Sequence, residues 1–196
     1  MQSELANEQM QKKFSCFETK SSSEIYNLPD ENSINDYLNA MFSEGVMTEE
    51  QAGESTRLMY ILCDVDRIGA LCKEITQSVI EPNSSNTKLS KEATKDLKKS
   101  IKLIHDMYEY ALDTLISGNV AHIKNVQKKK EEVLLLDDNM RQAHIERVGK
   151  KKCSVKLTAL YTSILHDIDR MGNSCVNLVD MATSGDGLRL LLDNEE

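Results

Sequence analysis

The chain has 196 residues, of which 29% are charged and 40% hydrophobic, with a formal net charge of −8. That composition excludes a disordered tail, and an acidic chain without a basic aromatic stripe is a poor nucleic-acid binder. Two Pro and eight Gly are too few turn formers for a many-stranded sandwich, where turn signals recur every ~8–12 residues. With no Trp, three Phe and six Tyr, the core must be aliphatic, helped by nine Met. An all-α chain is the expectation.

No run of residues approaches the ~18–20 apolar positions of a membrane-spanning helix. The first thirty residues lack the apolar centre of a signal peptide. Five Cys, an odd number without a Cys-x-x-Cys pair, suit a reducing compartment better than a disulfide framework. These features point to a cytosolic protein or domain.

Residues 1–30 are polar and weakly patterned. Pro29, Asp30 and Asn32-Ser33 are stop-and-start signals, so a helix is expected from Asn32 to Ser43, stopped at Gly45. Thr48-Glu49-Glu50-Gln51 reads as a capping box. The helix it opens carries Leu58, Ile61, Val65, Ile68, Cys72, Ile75 and Val79, spaced alternately three and four apart as one helical stripe. Pro82 and Asn83-Ser84-Ser85-Asn86 end it. Ser90 opens the next helix, with Leu97, Ile101, Ile104, Tyr108, Ala111 and Leu115, and Gly118-Asn119 stop it. A helix from Asn119 to Val148 follows, with Ile123, Val126, Val133 and Met140, ended by Gly149. The last is expected from Cys153 to Thr183, before a polar tail over 184–196. Short turns force the three helices of 88–183 to fold back as an antiparallel three-helix bundle, and 31–87 would form a degenerate counterpart.

Charge is unevenly spread. Residues 88–156 hold 16 Lys and Arg against 10 Asp and Glu, whereas the remainder holds 8 against 22. Lys128, Lys129 and Lys130 are a local maximum, and so are Lys150–Lys152. This basic middle is either a face for an anionic membrane or a partner, or a solvated helix face.

The decisive pattern is an internal repeat. Cys63-Asp64-Val65-Asp66-Arg67-Ile68-Gly69-Ala70-Leu71-Cys72 recurs as His166-Asp167-Ile168-Asp169-Arg170-Met171-Gly172-Asn173-Ser174-Cys175 at a constant offset of 103. A duplicated three-helix unit, two bundles related by pseudo-twofold symmetry, explains it. In each copy the second Asp and the Gly, three residues apart, share a ridge beside the core stripe. A mid-helix Gly costs about 1 kcal/mol against Ala, so Gly69 and Gly172 mark a close approach. Asp66 and Asp169 would be partly buried there and need a cation or donors. The candidates are Arg67 and Arg170, a Lys or backbone N–H of a neighbouring helix, or a metal ion.

These duplicated segments resemble the Leu-Glu-Arg-Ile-Gly-Asp signature of PhoU-type phosphate-transport regulators. Arg141–Val148, Cys153 and Tyr161–Leu165, with Tyr37–Ala52 in the first repeat, are similar to the PhoU-like cytosolic C-terminal domain of bacterial sodium/phosphate cotransporters. The resemblance covers about residues 31 to 182. It implies a regulatory or assembly module on the cytosolic side of the cell membrane, acting with a transporter domain or other phosphate-transport machinery, and compatible with a homodimer. A free-standing regulator of phosphate uptake is the alternative within the family. A metal-binding helical bundle is the alternative from another class.

Family members with metal clusters carry a second acid four residues after the first. Here those positions are Ala70 and Asn173, and Asn173 keeps only a carbonyl oxygen for a hard cation. A structural role and an ion-binding role for Asp66 and Asp169 both remain open on the sequence alone. No cofactor motif, phosphate loop or nucleophile elbow is present, and the chain does not read as an enzyme. His144 falls in a heptad series with Lys130 and Asp137, either pairing Asp137 in a polar seam or lying on an ordinary bundle flank.

Overall fold

The computed structural model describes residues 48–80 and 89–183. The helix expected over 32–43, the Gly45 stop, the 82–86 loop, Cys16, the Val79 side chain and the tail lie outside the described residues. The fold is all-α, with helices α1 (Glu49–Ile80), α2 (Lys91–Ser117), α3 (Ala121–Gly149) and α4 (Leu157–Thr183).

The helix ends follow from local chemistry. At α1 the capping box forms reciprocally: Thr48 N–H donates to Gln51 Oε1 at 3.0 Å, and Gln51 N–H to Thr48 Oγ1 at 3.2 Å. At α2, Ser90 Oγ accepts from Ala93 N–H at 3.1 Å. Gly118 closes that helix in the left-handed conformation (φ 68°), its N–H reaching Thr114 O at 3.0 Å.

The α3–α4 turn differs from the sequence expectation in two ways. Gly149 is the last helical residue, and the left-handed position belongs to Lys151 (φ 55°). Lys151 N–H bonds Val148 O at 3.0 Å and Lys152 N–H bonds Arg147 O at 2.8 Å, the Schellman pattern. Cys153 N–H also donates to Arg147 O, at 3.2 Å. Helix α4 does not start at Cys153 but at Leu157, whose N–H reaches Ser154 O at 3.0 Å.

Helices α2, α3 and α4 form the expected antiparallel three-helix bundle. Helix α4 packs against both α2 and α3 and also along α1. Ile104, Met107, Val133, Met140, Ile164 and Met171 fill the middle of the bundle, and Ile68, Leu71, Cys72 and Ile75 are buried on α1. Ile101 is only partly buried at the core edge.

The repeat is visible in how α1 meets α4. Asn177 Nδ2 donates to Asp64 Oδ1 at 3.4 Å. At the repeat-equivalent place Glu74 faces Asp167 closely enough to act on its ionisation. These two pairs run in opposite directions along the helices, so α1 and α4 are antiparallel and related by a pseudo-twofold at the level of Gly69 and Gly172. Cys72 and Cys175, equivalent in the repeat, are both buried.

Candidate functional site: an ion-paired seam on the repeat motif

The motif on α4 sorts its charged residues onto two faces. Asp167 points toward α1, and Arg170, one turn on, lies 3.7 Å from it. On α1 the same geometry recurs, with Arg67 Nη1 donating to Asp64 Oδ1 at 2.7 Å. Both arginines therefore serve the first aspartate of their motif, as i,i+3 pairs. Asp64 and Asp167 are each 6% exposed, the most buried acids of the repeat. A step of two residues points nearly opposite on a helix, so they face away from the second aspartates.

Asp167 is the less well compensated of the two. Burial pushes its carboxyl above the ordinary range and Glu74 adds to this, with Arg170 and His166 opposing. A carboxyl raised in the fold contributes stability that is complete below its unfolded value of 3.8 and is lost as pH rises through the higher folded value. Asp167→Asn is accordingly expected to raise Tm by a few degrees at neutral pH. The gain should vanish in acid, where the wild-type carboxyl is already protonated. Thermal melts of both chains across pH check this, and a lower Tm for the variant at neutral pH would show that the Arg170 pair dominates.

The second aspartate, Asp169, finds its cation on α3. Lys130 Nζ donates to Asp169 Oδ1 at 2.5 Å and to the Asp169 carbonyl oxygen at 3.1 Å. Asn173 Nδ2 donates to the other carboxylate oxygen, Oδ2, at 3.3 Å. The Lys130 side chain is 13% exposed. It reaches Asp169 by passing over Gly172, where an added Cβ would lie 3.3 Å from Lys130 Cδ and Nζ and from Ile104 Cδ1. The close approach that Gly172 marks is thus a lysine side chain and a core isoleucine. Asp66, Gly69 and Arg67 hold the corresponding places on α1, with Gly69 buried, Asp66 partly buried and Arg67 exposed.

The basic run at 128–130 does not present a uniform outward face. Lys129 donates to Asp106 Oδ2 at 2.9 Å and lies 5.9 Å from the Tyr110 ring centroid. Burial would raise the Asp106 carboxyl, but the hydrogen bond and charge of Lys129 outweigh it and hold the group below its ordinary value. With Lys130 on Asp169, only Lys128 of the three is classed as exposed. Successive helical residues point about 100° apart, so a run of three cannot share one face. Lys150, Lys151, Lys152 and Lys156, in the α3–α4 turn, are all exposed.

Asp137 and His144, of the heptad series on α3, do not pair with each other. Asp137 Oδ2 accepts from Arg141 Nε at 2.6 Å, while His144 turns to Thr158 and Tyr161 on α4.

The residues around Asp169 do not fit a metal cluster. The oxygen that would ligate an ion is neutralised by an ammonium, and the neighbouring position is the amide Asn173 rather than an acid. Among the described residues, no three His, Cys, Asp or Glu gather as a ligand set. No described helix is long and apolar enough to cross a membrane.

The PhoU domain family model matches residues 97–182, which is most of α2 together with all of α3 and nearly all of α4. The match supports a PhoU-like family and covers the three-helix bundle with the second copy of the motif. No curated protein and no solved structure matches the chain.

Proposed function

We propose that this chain is a PhoU-like regulatory module of phosphate uptake, and specifically the cytosolic C-terminal domain of a sodium-dependent phosphate cotransporter. The carrying observation is the PhoU match over 97–182, on a bundle whose α4 bears the duplicated Asp-Arg-x-Gly motif. The Arg141–Val148 and Tyr161–Leu165 segments support the narrower, transporter-attached reading. In this reading the bundle is a rigid body closed by Lys130 and Asp169, and regulation acts through its surface rather than through a bound metal cluster. The module positions or gates a membrane domain and carries out no chemistry on phosphate.

The test is an immunoblot of fractionated source cells with an antibody raised against this chain. A membrane-bound band several tens of kilodaltons above 22.1 kDa carries the reading. A band of 22.1 kDa in the soluble fraction overturns the transporter-attached form and leaves a free-standing regulator.

A further inference from the structure

The turn between α3 and α4 brings together a thiol, an imidazole and a hydroxyl. His144, near the end of α3, is 3% exposed, and its ring stacks on Tyr161 with centroids 4.8 Å apart. Its Nε2 lies 3.1 Å from Thr158 Oγ1 and its Nδ1 lies 3.9 Å from Cys153 Sγ. When Nε2–H donates to Thr158, the Nδ1 lone pair faces the thiol. A third group then orients a base toward a nucleophile, the arrangement that activates weak nucleophiles elsewhere. Burial, and secondly the charge of Arg147, hold the imidazole below its ordinary range, so it is neutral and able to take a proton at neutral pH.

The turn holds the thiol in place. Lys152 N–H and Cys153 N–H both donate to Arg147 O, and this double closure follows the left-handed Lys151. Cys153 is partly exposed, within reach of a small reagent. The flanking Lys150, Lys151, Lys152 and Lys156 are all exposed, Lys150 pairing with Glu146 at 3.1 Å, and make this end of the bundle positively charged. The other described cysteines differ in kind. Cys72 and Cys175 are buried, and burial pushes the Cys175 thiol far up. Cys63 is exposed on α1.

We propose that Cys153 is a thiol–disulfide exchange site for small anionic disulfides of the glutathione type, with His144 as its base and Thr158 as a positioning residue. The Cys153 S–H proton passes to His144 Nδ1, and the thiolate attacks one sulfur of the disulfide. A new S–S bond forms as the old one breaks. The displaced thiolate takes the proton back from the imidazolium and leaves as a thiol. Cys153 is oxidised to a mixed disulfide and half of the reagent is reduced, so no further oxidant is needed. The added group sits on the turn that joins α3 to α4, beside Thr158 and Tyr161, and reversibly modifies one end of the bundle. This inference does not depend on whether the chain is attached to a transporter.

The test follows each cysteine of the full chain by peptide-resolved mass spectrometry, using a neutral disulfide, dithiodipyridine, so that the lysines do not enter the first comparison. In the folded chain Cys153 is expected to react about tenfold or more faster than Cys63, the ratio falling toward one in urea. His144→Asn is expected to slow Cys153 about tenfold and leave Cys63 unchanged. Should that variant fail to fold by circular dichroism, Thr158→Val, which keeps the side-chain size, gives the same readout. With glutathione disulfide, the preference of Cys153 for the anionic reagent over the neutral one is expected to shrink as salt is raised. A Cys153/Cys63 ratio near one in the folded chain, or an unchanged Cys153 rate in a folded His144→Asn variant, overturns the proposal. A salt-insensitive glutathione reaction overturns the anionic selectivity.

Discussion

Lys130→Met is expected to lower the unfolding free energy by about 2 kcal/mol, below the ~3–5 kcal/mol of a fully buried pair because Asp169 keeps some contact with water. Methionine preserves the stem that packs over Gly172 but removes the ammonium that donates to two Asp169 oxygens, Oδ1 and the backbone O. Asp169 is then left with the Asn173 amide, 3.3 Å away, as its remaining described donor. The loss should be relieved in the double variant Lys130→Met/Asp169→Asn, since neither charge then lacks its opposite. Urea denaturation of the four chains of this cycle measures the coupling. A single-variant cost below about 0.5 kcal/mol would reduce the pair to an ordinary surface ion pair.

Gly172→Val is expected to cost about 2–3 kcal/mol, at the upper end of ordinary overpacking. The new Cβ alone would stand 3.3 Å from Ile104 Cδ1, and Ile104 is fully buried. The Lys130 end is flexible and can swing aside, but only by leaving Asp169. A built-in comparison comes from Gly53, on α1, where an added Cβ meets nothing within 4 Å among the described residues. Gly53→Ala should therefore stabilise by about 0.5–1 kcal/mol through helix propensity alone. Gly172→Ala sets the same gain against the contacts and should fall below it. Ile104→Val removes the offending Cδ1, so Gly172→Val should cost less in that background than in the wild-type one. If both glycine variants behaved alike, Gly172 would not mark a close approach.

Much of this architecture is legible in the sequence itself. The alternating spacing from Leu58 to Ile75, the Thr48–Gln51 box and the Ser90 and Gly118 caps each rest on interactions within a few residues. The sequence contains both partners, so the elements follow from it. The repeat was equally legible, because a constant offset of 103 carries charge, Gly and Cys together, and the requirement for a cation at Asp169 follows from the helical ridge it shares with Gly172. The PhoU match over 97–182 agrees with the part of the resemblance carried by the second repeat.

The rest depended on distance in sequence. Which of several cations reached Asp169 was not legible, since Lys130 is 39 residues away and choosing it requires the packing angle of α3 on α4. The same run of three lysines read as a surface, yet two of them make part-buried ion pairs across helices, because consecutive helical residues diverge and neighbouring helices offered Asp106 and Asp169. Cys153 read as the start of a helix. It lies instead in the turn that follows the Schellman closure at Lys151, and only the fold of α4 back along α3 set it beside His144. By itself, then, the sequence determined the helices, the repeat and the need for a counter-charge, because those arise from neighbours within one or two turns. Tertiary structure alone decided the partners, because each ion pair and the thiol–imidazole contact joins groups that only helix packing brings within a few ångströms.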